Sequence, residues 1–93
     1  VNAVVAFQRR IEAKLRRAFP DGYVKVVRAA HSKKSLRVLV VDGRFGGVPS
    51  EFDKIEVVLK VLSGDDILRR LIAKGKGPGI SSITVYSDAE LLG

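Results

Sequence analysis

From Leu36 to Val41 the chain reads Leu-Arg-Val-Leu-Val-Val. Set out as an extended strand, it is apolar on both faces: Leu36, Val38 and Val40 on one side, Leu39 and Val41 on the other, with only Arg37 charged. A strand of this kind belongs in the middle of a sheet, with neighbours on both edges, because neither face tolerates water along its length. The rest of the chain must supply those neighbours and a covering layer.

The first neighbour lies just upstream. Tyr23 to Ala30 is rich in Val and carries Lys25 and Arg28, and the link His31-Ser32-Lys33-Lys34 is short enough for a hairpin. The pair, Tyr23 to Ala30 and Ser35 to Asp42, is expected to be antiparallel. A third strand is expected over Ile80 to Tyr86, with Ile83 and Val85 on one face. Periodicity leaves open whether it lies beside the first strand or the second.

The covering layer is helical. Over residues 2–19, Val4, Phe7, Ile11, Leu15 and Ala18 recur at spacings of three and four, giving one apolar stripe. Arg10, Lys14 and Arg17 flank that stripe on one side, while Arg9 and Arg16 lie on the far side. Pro20 stops the helix and Asp21-Gly22 supplies a turn. Gly43 to Pro49 reads as a loop, and Ser50 caps a second helix with Glu51 and Asp53 in its first turn. Its stripe is expected to run through Phe52, Ile55, Val58, Leu59 and Leu62. Ser63-Gly64 breaks it, and Asp65-Asp66 opens a third helix through Ile67, Leu68, Leu71 and Ile72. Gly75 to Gly79 opposes both periods, and Ser87-Asp88-Ala89-Glu90 has the form of a capping box for a last helix. The order αββααβ, with no repeat or linker, implies a single α+β domain over residues 1–93, a two-layer sandwich with helices on one face of a three-stranded sheet.

Charge and chemistry narrow the function. Seventeen Lys and Arg stand against ten Asp and Glu, a formal net charge of +7, with one His and no Cys among 93 residues. Thiol nucleophiles and cysteine-ligated metal sites are excluded, and a single imidazole cannot build a multi-histidine metal cage. His31 beside Ser32 has no orienting carboxylate nearby, so a nucleophile and base pair is not indicated. Asp53, Glu56, Asp65 and Asp66 suit capping and dipole roles at helix starts. The expectation is a binding domain, not an enzyme, and it requires no cofactor. No stretch is long and apolar enough to span a bilayer, and Val1 to Phe7 reads as the start of a helix, so a soluble cytoplasmic protein with no membrane partner is expected.

The residues also carry a resemblance. Arg10 to Phe19, Arg-Ile-Glu-Ala-Lys-Leu-Arg-Arg-Ala-Phe, resembles the opening helix of the BolA family, whose fold is the type II KH-like order αββααβ. Val38 to Gly47, Val-Leu-Val-Val-Asp-Gly-Arg-Phe-Gly-Gly, resembles its second strand and phenylalanine-glycine loop. Ile83 to Tyr86 with Ser87 to Glu90 resembles its third strand and the acidic segment that follows. The resemblance implies a small regulatory or adaptor protein. It brings an alternative to nucleic-acid binding: partnership with a monothiol glutaredoxin in iron–sulfur or redox regulation, with His31 as a ligand of a shared iron–sulfur cluster. The chain departs from the family where that cluster would need it. The family's Arg-His pair early in the second helix is replaced by Ser50-Glu51-Phe52-Asp53-Lys54, and its histidine at the third strand by Ser81 or Ser82. The connection Ser63 to Gly79 is also longer than the family's.

An anionic partner is the first inference from the charge, nucleic acid being the commonest. Arg10, Lys14 and Arg17 lie within about two helical turns of one another, close enough to meet neighbouring phosphates. Lys33, Lys34, Arg44 and Lys76 are expected as secondary contacts. Gly43-Arg44-Phe45-Gly46 has the spacing of a KH clamp but precedes the second helix, whereas the link between the two helices carries Asp65 and Asp66, which repel phosphate. Gly75-Lys76-Gly77-Pro78-Gly79 lacks the Lys-Ser/Thr ending of a P-loop. Among the aromatics, Phe7, Phe19 and Phe52 are expected in the core. Phe45 is either a stacking surface or an anchor tucked under the sheet.

Overall fold

The computed structural model describes residues 3–30, 35–74 and 79–87. The elements are α1 (Ala3–Ala18), β1 (Tyr23–Arg28), β2 (Ser35–Val41), a 3-10 helix (Gly43–Gly47), α2 (Glu51–Ser63), α3 (Asp66–Lys74) and β3 (Gly79–Tyr86). The expected αββααβ order holds. The loop after β2 is a correction: Asp42 caps it by accepting from Arg44 N–H, and the backbone closes into a 3-10 turn. The capping box at Ser87 to Glu90 and the segments His31 to Lys34 and 75–78 fall wholly or partly outside the described residues.

β2 is central, as its two apolar faces demand. β1 pairs with it antiparallel, Tyr23 opposite Val41 and Arg28 opposite Leu36. β3 resolves the open alternative by pairing with β2 on the other edge, in parallel, so α2 and α3 form the crossover. A register shift between Leu36 and Arg37 leaves Ser81 without an opposite number, and its hydroxyl donates to the Leu36 carbonyl at 3.1 Å.

The core lies between the sheet and the helices. Val4, Phe7, Ile11 and Leu15 of α1 pack on it with Val24 and Val26, then Leu36, Val38 and Val40, and finally Val85. Val58 and Leu62 of α2 and Leu68 of α3 complete the layer. Gln8 ties α1 to the sheet by donating to the Val26 carbonyl at 2.7 Å. Phe19 and Phe45 close one end, their ring centroids 5.5 Å apart and tilted by 40°.

Phe52 is a second correction. It is 75% exposed, and Leu59 is 40% exposed, whereas Lys54, Val58 and Leu62 are buried. At 100° per residue the buried positions centre on Val58, and Phe52 and Leu59 lie about 100° or more around the helix from that centre. The apolar residues of α2 form too broad a band for spacing to show which edge meets the sheet. Lys54 reaches Glu51 at 4.0 Å from within the buried side. Ser50 caps α2 as expected, accepting from Asp53 N–H at 3.1 Å.

The opposite face of the sheet carries no helix among the described residues. Strand alternation and register place three rows across it. The first is Tyr23, Val41 and Tyr86; the second is Lys25, Leu39 and Thr84; the third is Val27, Arg37 and Ser82. No helix among the described residues is long and apolar enough to cross a membrane.

Candidate functional site

α1 is amphipathic, so burying its stripe against the sheet fixes where its charges stand. Arg10, Lys14 and Arg17 emerge along one flank, on the side facing the start of α3. With Ala13 and Asp65 they line a shallow cleft of about 170 Å³. The three residues expected to act together are thus brought together.

Asp65, expected to cap α3, serve its dipole and repel phosphate, has two bonding tasks in the structure. Its Oδ1 accepts from Ile67 N–H at 2.9 Å and Leu68 N–H at 3.1 Å, closing the start of α3. The same carboxylate accepts from Arg10 Nε, at 3.2 Å to Oδ1 and 2.9 Å to Oδ2. The contact joins residues 55 apart in sequence, so no local spacing signals it. Partial desolvation pushes the Asp65 carboxyl upward. The Leu68 N–H, the Arg10 hydrogen bond and charge, and the Ile67 N–H outweigh that and hold it below the usual carboxylate value.

A depressed carboxyl has a defined linkage. The stabilisation from Asp65 is fully present above the unfolded value, about 3.9, and is lost as pH falls through the lower folded value. Asp65→Asn removes this titration while keeping a capping side chain. Urea midpoints measured at neutral pH and at about pH 3 should therefore show the stability gap between wild type and Asp65→Asn narrowing in acid. A gap of constant size would show that Asp65 contributes nothing to acid sensitivity.

The ion pair divides the cations of α1 into two groups. Arg10 is compensated by Asp65, and Arg16 by Glu12 one turn away. Lys14 and Arg17 have no ion-pair partner among the described residues, and Arg9 likewise has none. Gly64 lies beside Lys14: a Cβ there would make ordinary contact with Lys14 Nζ at 3.8 Å and a tight one with the Val61 carbonyl oxygen at 3.3 Å. Arg44 lies outside the cleft's lining. Its Nε meets Asp42 Oδ1 at 3.3 Å, and its guanidinium stacks 4.6 Å above the Phe19 ring. Lys33, Lys34, Lys76 and His31 lie outside the described residues. Phe45 is buried, 1% exposed, which decides for the anchor over the stacking surface.

Among the described residues no three of His, Cys, Asp and Glu come together as metal donors. Of Ser81 and Ser82, which stand where the BolA family has its third-strand histidine, Ser81 donates its hydroxyl to the Leu36 carbonyl.

No protein-family model matches the chain, and no curated protein matches it significantly. Among solved structures it is similar to the NMR structure of a BolA-like hypothetical protein from Rickettsia prowazekii. The TM-score is 0.60 and the identity 24%, over 85% of this chain and 91% of that one. The likeness is one of fold: the chain has a BolA-like fold.

Proposed function

We propose that this BolA-like fold serves as a small, non-enzymatic nucleic-acid-binding domain that meets phosphates along the flank of α1. The observation that supports the reading is the pairing state of the cleft. Lys14 and Arg17, with no ion-pair partner among the described residues, stand less than one turn apart on one helix, and Arg10, held by Asp65, forms the neighbouring wall. Lys14 and Arg17 neutralise adjacent phosphates, while Arg10 contributes position more than charge. Lys33, Lys34, Arg44 and Lys76 add to the positive field around the molecule. Arg44 does so while bound to Asp42 and Phe19.

The test is fluorescence anisotropy with short single-stranded and duplex DNA and RNA, over about 50 to 300 mM salt. Affinity should fall log-linearly with salt. Lys14→Glu with Arg17→Glu should weaken binding to every sequence alike and flatten the log–log slope by about 1.4 for a single strand, two lost contacts at about 0.7 each. Arg10 is left intact in this variant so that the Asp65 pair, and with it the start of α3, is undisturbed. Unchanged affinity and slope would remove α1 from the interface. The adaptor alternative, with a glutaredoxin partner and a shared cluster, rests on His31.

A further inference from the structure

The sheet face that carries no helix among the described residues has a composition that the charge of α1 does not explain. Tyr23 and Tyr86 stand at two ends of one row, with Tyr23 54% exposed. In the next rows Lys25 and Arg37 rise beside a hollow of about 400 Å³ floored by Leu39. Neither cation has an ion-pair partner among the described residues, and none of the nine positions in the three rows is acidic. The Ser82 hydroxyl oxygen, at the edge of the same hollow, is buried without a hydrogen-bond partner. A buried hydroxyl left unsatisfied is a cost that an added donor or acceptor relieves.

We propose that this face is a second binding surface, which takes the unstacked bases of a single-stranded nucleic acid. The inference rests on the nucleic-acid reading and deepens it by naming the strand type. The face combines what such a strand needs: flat aromatic rings and an apolar floor for bases, and cations for the backbone between them. Rows succeed one another at about 7 Å, two residues of strand rise, so tyrosine, lysine and arginine are offered in turn along one direction. A second copy of the chain is disfavoured as the occupant, because face-to-face docking sets Lys25 and Arg37 against the same cations with no acid between them. A plain acidic peptide uses the cations but leaves the tyrosine row without a role.

The surfaces lie on opposite sides of the sheet, and that makes them separable. Labelled oligothymidylate, its abasic counterpart with the same number of phosphates, and a blunt duplex are compared on the full chain. Wild type is expected to bind the base-bearing strand about tenfold or more tightly than the abasic one, a stacking effect that phosphate contacts cannot produce. Tyr23→Leu with Tyr86→Leu should erase that preference while leaving abasic binding as in wild type. Should this variant fail to fold, Lys25→Gln with Arg37→Gln, both exposed, should lower affinity for the base-bearing strand by more than for the abasic one, because the bases hold the backbone against this face. Equal binding of the two strands, abolished by Lys14→Glu with Arg17→Glu, would overturn the sheet surface and keep the α1 reading. A base preference that survives the tyrosine variant, or affinity for the base-bearing strand left unchanged by the Lys25 and Arg37 substitutions, would also overturn it. Binding of polyglutamate with no oligonucleotide bound would overturn both readings and assign the cations to an acidic protein partner.

Discussion

Phe45→Ala is expected to lower the unfolding free energy by about 3 to 5 kcal/mol, the range for removing a buried aromatic and leaving its cavity. For a chain of this length the whole stability is about 5 to 14 kcal/mol, so the loss is a large fraction of it. The reason is positional. Phe45 is 1% exposed inside the 3-10 turn, and its ring packs on Phe19, which in turn carries the Arg44 guanidinium on its face. Removing the ring empties the end of the core and loosens the seat of Arg44 at once. Urea unfolding should show a lower midpoint at nearly constant slope. The same variant, studied where it is still folded, should bind oligonucleotides as wild type does. A loss under about 1 kcal/mol, accompanied by lost binding, would mean that the ring faces a partner and not the core.

Gly22→Ala is the second large effect, expected to cost about 1 to 3 kcal/mol through overpacking. A Cβ at Gly22 would stand 2.5 Å from the Val41 carbonyl oxygen and 2.8 Å from Asp42 Oδ2. The first is backbone of the central strand and cannot retreat without disturbing the sheet. The second is the carboxylate that caps the 3-10 turn. Gly47→Ala is the matched control, because nothing lies within 4 Å of a Cβ there, and it should be nearly neutral. Thermal unfolding of both variants separates them. Equal melting temperatures would show that the turn relaxes and the close approach is not a constraint.

These two residues also mark what was legible in the chain. Asp21-Gly22 announces a turn, and the turn is there, but the requirement for glycine comes from Val41, nineteen residues on, and is invisible locally. The central strand was legible because both its faces are apolar. The α1 stripe was legible because it is narrow and flanked by charge. α2 was legible as a helix and not as an orientation, since its apolar residues span two edges and Phe52 fell on the wrong one. β3 shows the opposite case. Ile80 and Ile83 both pack against the core although an odd spacing should set them on opposite faces, and the register shift at Ser81 reconciles them. Of the candidate site, Arg10, Lys14 and Arg17 were readable as one flank of one helix. Asp65 as the partner of Arg10 was not, because only the tertiary fold brings α3 to α1.

The order β1-β2-β3 leaves two free edges among the described residues, and they are not alike. β1 carries Lys25 and Arg28, charges that discourage a further strand from adding there. β3, from Ile80 to Tyr86, holds no charge and no proline, so its outer edge has the makings of a template for another copy of the same segment. Repulsion between molecules bearing +7 each opposes that encounter at a distance. The excess of lysine and arginine therefore has a colloidal use that no ligand is needed to explain. Added salt weakens that protection together with any hold on phosphate.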